Sequence, residues 1–328
     1  MHTLPAVAAI RLAHPDADID WLVDASHRDF LALVPVISTI VTLANRSAGA
    51  WLDARRELRR RRYTLALDFQ GLLKSAVLAR FSGAARVAGF DRRGARESAA
   101  ALFYSERIAG EGGHVIDKNL RLAAAAGART DVKAFPLRVV ASAAMTALRA
   151  DLPGAFALIN PGAGWPNKRW PAASFGRVAR HLRDRHGVRS VVLWGPGEAA
   201  LARDVVSASG GAAIEAPATR IADLVAMARE SCLMVSGDTG PTHIAAAVGT
   251  PVVSMFGPTN PARNGPWSAE DITLSRYDRC ACHYARSCRQ PQDWCLATIG
   301  VDEVISAIDR RLAAASASAH PVPAAGRR

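Results

Sequence analysis

No apolar run in this chain reaches the length needed to cross a bilayer, about 20 residues. Its first residues also lack the charged, apolar and small-residue succession of a secretion signal. A cytosolic protein is therefore expected. Acidic residues are too few to balance the basic ones: 29 Asp and Glu face 41 Lys and Arg, leaving a net charge of +12 and a pI near 10.3. That excess favours an anionic partner. The motifs that would make the partner nucleic acid are absent, with no zinc-finger spacing, no RNP-like aromatic strand and no tandem basic-aromatic pattern. No internal repeat stands out. Paired CxxC spacing is missing as well. Cys280, Cys282, Cys288 and Cys295 are separated by one, five and six residues, with His283 among them. Four thiols in one loop can bind zinc, be oxidised together, or stay reduced in a reducing compartment.

With 328 residues, half of them hydrophobic, the chain can build two domains of ordinary size. Its apolar runs alternate in helical and strand periods, which argues for an α/β fold with parallel sheets. Helix is expected over Thr3 to Leu12, strand over Asp18 to Val23, helix over Ser26 to Leu33, an apolar segment at Ile37 to Val41 and a long helix from Ala48 to Arg62. Strands at Thr64 to Asp68 and Arg86 to Gly89 flank a helix ending at Phe81. Such a chain ought to open on a strand, yet it opens on a helix. Pro136, Pro153 and Gly154 mark a boundary, giving domains at residues 1–150 and 151–300, a closing helix at 301–314 able to pack back across the first domain, and an Ala/Ser/Pro-rich tail at 315–328 expected to be disordered.

The most informative segment runs from Ser236 to Asn260, Ser-Gly-Asp-Thr-Gly-Pro-Thr-His-Ile-Ala-Ala-Ala-Val-Gly-Thr-Pro-Val-Val-Ser-Met-Phe-Gly-Pro-Thr-Asn. Strands at Cys232 to Val235 and Val252 to Phe256 bracket a helix with Pro241 at its first turn and Gly249 at its exit. Amides around Thr239, Gly240 and His243 would point, with the helix dipole, at an anion, for which a diphosphate is the natural size. Asp238 would orient the loop or hold a ligand hydroxyl, and His243 would donate to phosphate. An ordinary capped helix with a surface histidine explains the same residues more blandly. Lys168 sits in a second Gly/Pro/Asn loop after a strand, where it is either a solvated lysine or a phosphate ligand. Glu198 follows Trp194-Gly-Pro-Gly, which lacks the third glycine of a dinucleotide fingerprint. Gln70, Gly71 and Lys74 occupy a strand-to-helix turn, where ligands of α/β sheets gather, and Lys74 would meet a carboxylate or phosphate. Arg55-Arg-Glu-Leu-Arg-Arg-Arg-Arg62 is the densest charge run, either a solvated helix face or a contact for anionic lipid headgroups that Arg92, Arg93 and Arg96 would reinforce.

These segments resemble the lipopolysaccharide heptosyltransferases of glycosyltransferase family 9. The similarity is carried by the Ser236 to Asn260 stretch, by Asp68-Phe-Gln-Gly-Leu-Leu-Lys-Ser75, by Asn160-Pro-Gly-Ala-Gly-Trp-Pro-Asn-Lys-Arg-Trp-Pro171 and by Trp194-Gly-Pro-Gly-Glu198. Arg96-Glu-Ser-Ala-Ala-Ala-Leu-Phe-Tyr104 looks like a stretch typical of the type I enzymes. The resemblance extends from Met1 to about Arg311 and implies a GT-B fold, two Rossmann-like domains facing a cleft. It also implies transfer of heptose, with inversion and without a metal ion or other cofactor, from an ADP-sugar to a Kdo–lipid A acceptor. The enzyme would work in the cytoplasm on the inner face of the inner membrane.

By resemblance, Lys168 stabilises the leaving diphosphate and Glu198 accepts from the ribose. The backbone of Pro217 to Thr219 reads adenine, and Ala163 and Gly164 offer only amides where some relatives carry hydroxyls. One departure is large. Family sequence preceding the match to Met1-His-Thr-Leu-Pro-Ala6 supplies a first strand and a Gly-Asp pair whose aspartate is the family's presumed base, and neither is present here. Omitting a central strand leaves sheet edges unpaired, at about 1–3 kcal/mol per unsatisfied buried group. The expectation is therefore that Met1 is internal to a longer natural chain, the alternative being an inactive copy. Asp238 is the loop carboxylate nominated as a substitute base.

Overall fold

The computed structural model describes residues 1–45, 47–289 and 294–318. The chain divides into two compact units, Met1–Arg138 with Ala262–Asn264, and Val139–Pro261 with Gly265–Arg328. In the first unit α1 (Leu4–Ala13), β1 (Asp20–Asp24), α2 (Arg28–Leu31), β2 (Thr39–Leu43), α3 (Ala48–Arg60), β3 (Leu65–Asp68), α4 (Leu73–Phe81), β4 (Arg86–Phe90), β5 (Glu106–Ile108) and α5 (Val115–Ala123) alternate along the chain. The strands form two separate parallel sheets, β1-β2 and β3-β4-β5. α1 is buried along Leu4 to Ala9 and packs on α5, where Asn119 Nδ2 donates to the His2 carbonyl at 2.9 Å.

The second unit contains α6 (Ala143–Asp151), β6 (Phe156–Asn160), α7 (Ala172–His186), β7 (Arg189–Val192), α8 (Ala199–Ala208), β8 (Ala213–Glu215), α9 (Ile221–Glu230), β9 (Leu233–Gly237), α10 (Gly240–Ala247) and β10 (Val252–Phe256), while the one-turn α11 (Pro261–Asn264) that follows belongs to the first unit from Ala262 on. The second unit closes with β11 (Ile272–Ser275) and α12 (Val301–Ser318). Its six parallel strands lie in the order β11-β10-β9-β6-β7-β8. Numbered from β6, that is the doubly wound order 3-2-1-4-5-6, which reverses direction between β6 and β9. Every residue of β6, β9 and β10 is buried. Helices on both faces explain why these strands read as continuous apolar runs instead of alternating ones. The core beneath includes Trp170 edge-on to Phe175 at 5.0 Å.

Two boundaries differ from those read in the sequence. The division falls at residue 138 and not 150, because α6 is tied to α9 through Ser142 Oγ on Asp223 at 2.6 Å and Arg149 on Glu230 at 2.9 Å. The closing helix belongs to the second unit, where Val304, Ala307 and Ile308 enter the core against α7, β10 and β11. It also outlasts the expected residue 314, so 315–318 are helical. The rest of the expected tail, 319–328, lies outside the described residues.

Candidate functional site

Loops at the C-terminal ends of β6 and β9 converge at the point where strand order reverses. Asn160, the last residue of β6, is 4 % exposed. Its side-chain amide donates to the Gly162 carbonyl at 3.1 Å, to Ser236 Oγ at 3.0 Å and to Thr239 Oγ1 at 3.1 Å, pinning one loop to the other. Thr242 Oγ1 donates back to the Gly237 carbonyl at 2.6 Å. α10 starts at Gly240 with proline in its first turn and no side-chain cap from Thr239. Its first backbone amides are therefore not capped by the Thr239 side chain. Gly249, at φ +83°, ends the helix in the left-handed conformation that glycine tolerates best.

At that helix start lies a buried charged cluster. Lys168 Nζ meets Asp238 Oδ2 at 2.6 Å, and Thr259 Oγ1 donates to the same oxygen at 2.7 Å. His243 Nε2 lies 3.2 Å from Asp238 Oδ1. Burial would push the Asp238 carboxyl up, but the His243 hydrogen bond, the Lys168 charge and the Thr259 hydroxyl outweigh it and hold the group well below the usual carboxylate range. Lys168 also lies 4.5 Å from the centre of the Trp165 ring. The loops pack so closely that a Cβ on Gly237 would come within 2.8 Å of the Lys168 carbonyl.

Glu198 closes the next loop. Its Oε2 accepts from the Gly195 amide at 3.1 Å, and Arg169 lies 3.7 Å from Oε1. Arg169 in turn donates to the Ala163 carbonyl at 2.9 and 3.0 Å. A Cβ on Gly162 would lie 2.1 Å from Glu198 Oε2, so only glycine leaves this carboxylate where it is. Gly164 faces open space. Thr219 stands half-buried just before α9. Lys168, Asp238, Thr239, Gly240 and His243 are thus brought together, with Ala163 and Glu198 joined to them through Arg169. Sequence reasoning passed over Asn160, Arg169 and Thr259, although all three lie inside motifs it had singled out.

In the first unit, Asp68 organises the turn after β3. It accepts from the Gln70 and Gly71 amides at 2.9 and 3.2 Å, and from Ser75 Oγ and Tyr104 OH at 2.8 and 2.7 Å. Burial first, then the Asp68 charge, pushes the Tyr104 phenol far up, so it stays a donor. Gly71 has φ +65°, and a Cβ there would press on Arg96 N at 3.1 Å. Gln70, Lys74, Arg96 and Lys118 all line a cavity of about 1350 Å³ in this unit. Asp68 opens the Asp68 to Ser75 motif and is buried, and no local pattern marks it as the group that holds this turn.

The model of glycosyltransferase family 9 (heptosyltransferase) matches residues 51–292. The chain belongs to that family. It is 30 % identical over 301 residues to lipopolysaccharide heptosyltransferase 1 of Pseudomonas aeruginosa, covering 88 % of this chain and 83 % of the relative. A family 9 glycosyltransferase from Veillonella parvula superposes with a TM-score of 0.80 at 20 % identity, covering 95 % of this chain and 93 % of the other. The Escherichia coli heptosyltransferase WaaC, solved with ADP, gives 0.76 at 22 % identity, covering 94 and 95 %. The fold is accordingly of the GT-B type, and the protein is a glycosyltransferase. No helix among the described residues is long and apolar enough to cross a membrane.

Proposed function

We propose that this glycosyltransferase moves heptose from an ADP-sugar to the Kdo region of the lipopolysaccharide inner core, as a type I heptosyltransferase. The observation that carries the reading is the Lys168–Asp238–His243–Thr259 cluster at the start of α10, set in a chain similar to a heptosyltransferase 1 over most of its length. Leaving of the nucleoside diphosphate builds negative charge, which the Lys168 ammonium and the α10 amides offset without reorganising. Removing one such donor costs about 10²–10³ in turnover. Glu198 takes the ribose hydroxyls, the backbone at Pro217 to Thr219 faces adenine, and Ala163 and Gly164 offer backbone alone. On the acceptor side, Gln70, Gly71, Lys74 and Arg96 meet the carboxylate-bearing Kdo sugars.

Asp238 is already committed to Lys168, Thr259 and His243, and a carboxylate held so low is a weak base. It acts as a positioning residue, and removal of the acceptor proton falls to another group. The exposed arginines of α3, from Arg55 to Arg60, suit the inner face of an anionic membrane, each contributing about 1 kcal/mol at the surface. The test is transfer of labelled heptose from ADP-heptose to Kdo–lipid A. Product formation that falls at least a hundredfold in Lys168→Ala with donor binding retained supports the reading. ADP binding without any transfer would make the protein a nucleotide-sugar-binding homologue instead.

A further inference from the structure

Among the described residues, one group of side chains is spaced to share a metal ion: His181 and His186 of α7 with Asp309 of α12, whose ligand atoms all lie within 4.8 Å of one another. The group serves no step of the transfer. α7 begins beside the Lys168 loop at Ala172 and runs 15 residues, about 22 Å, to His186, which carries the three side chains away from the donor site. His181 Nε2 meets Asp309 Oδ1 at 2.8 Å, and His186 Nε2 meets the same oxygen at 2.7 Å. The two rings stand edge to face, their planes 69° apart and their centres 5.5 Å apart. Burial would push the Asp309 carboxyl up, but the hydrogen bonds from the two imidazoles outweigh it and hold the group below its ordinary range. An ionised carboxylate only accepts, so each ring presents a proton on Nε2. Two N–H groups therefore aim at one oxygen from either side, and a single cation among the three atoms would replace both protons.

The backbone holds this arrangement in place. His186 is the last residue of α7, and Gly187, at φ +67°, ends the helix in the left-handed conformation. Leu182, Val304 and Ile308 share the core between α7 and α12, which sets Asp309 opposite the two histidines. Arginines on the same turns are engaged with other groups: Arg180 donates to the Ala208 carbonyl at 3.0 Å, and Arg183 to Asp184 at 2.7 Å and to the Gly210 carbonyl at 2.9 Å. The Asp309 side chain is 42 % exposed, which leaves one side open for an ion to enter and for a water to complete its coordination. Imidazole nitrogens with a carboxylate oxygen suit a borderline divalent ion, and three such ligands leave the fourth tetrahedral position to water. Ligands 2.0–2.1 Å from zinc stand about 3.3 Å apart, so small rotations of these side chains seat it.

We propose that His181, His186 and Asp309 bind one divalent transition-metal ion of the zinc class, which clamps the closing helix α12 to the end of α7. Coordination uses the Nε2 lone pairs, so the remaining ring proton of each histidine sits on Nδ1. Calorimetric titration of Zn²⁺ into metal-stripped protein, with Co²⁺ absorption spectra to identify the donors, tests the site without reference to activity. The expected result is one ion bound per chain, Co²⁺ bands without sulfur charge transfer, and a thermal midpoint raised by Zn²⁺. His186→Gln and Asp309→Asn should weaken binding at least about tenfold and abolish the thermal shift, with circular dichroism showing that both variants are folded. In the unsubstituted protein, a lack of saturable Zn²⁺ binding, or Co²⁺ bands dominated by sulfur charge transfer, would overturn the proposal and leave the three side chains as a hydrogen-bonded clasp between helices. Zn²⁺ affinity unchanged in both variants would overturn it as well.

Discussion

Replacing Asp238 by asparagine removes one charge and leaves the shape of the site nearly unchanged, so its effect isolates the ion pair. The Asp238 side chain is 6 % exposed and that of Lys168 15 %, with 2.6 Å between charged atoms. Breaking a buried pair costs about 3–5 kcal/mol because the surviving charge is stranded. Lys168 retains some solvent, and the introduced amide oxygen would still accept from Thr259, so the lower end applies, about 3 kcal/mol. The pH dependence follows from the depressed carboxyl. A carboxylate whose folded value lies below its unfolded one contributes stability that is complete above the unfolded value, 3.8, and declines as pH falls towards the folded value. The loss should therefore be large at neutral pH and shrink below pH 3.8. Urea unfolding followed by tryptophan fluorescence is suited to this, since five of the seven tryptophans lie in the second unit. A variant within about 0.5 kcal/mol of the parent at pH 7, the range of ordinary surface substitutions, would refute the reasoning.

Other substitutions probe the loops. Gly162→Ala pushes Glu198 from its position and should raise the KM for the donor with little change in thermal stability, as steady-state kinetics will show. Gly237→Ala forces a Cβ against the Lys168 carbonyl and should destabilise by about 1–3 kcal/mol, read by urea unfolding. Gly71→Ala combines positive φ with contact on Arg96, and should raise the KM for the acceptor while leaving ADP affinity unaltered.

The second unit could be read from its sequence because β6, β9 and β10 are buried on both faces and so appear as uninterrupted apolar runs, with Pro241 and Gly249 punctuating the helix between. β5 and β8 escaped because each has only three residues, too few to establish a period. The α6 boundary was misplaced because Pro153 and Gly154 mark a turn, whereas the division follows side-chain ties to α9 that no local pattern announces. At the site, the residues gathered at the start of α10 followed from helix-start chemistry. The links made by Asn160, Arg169 and Thr259 did not, since each joins loops far apart in the chain.

The central claim is that a nucleoside diphosphate rests against the start of α10 beside Lys168. Calorimetric titration of ADP and of adenosine into the parent protein and Lys168→Ala addresses it directly. The account predicts that the parent binds ADP far more tightly than adenosine and that Lys168→Ala erases most of that difference. Equal affinity for ADP and adenosine, or an ADP affinity indifferent to Lys168, would contradict it.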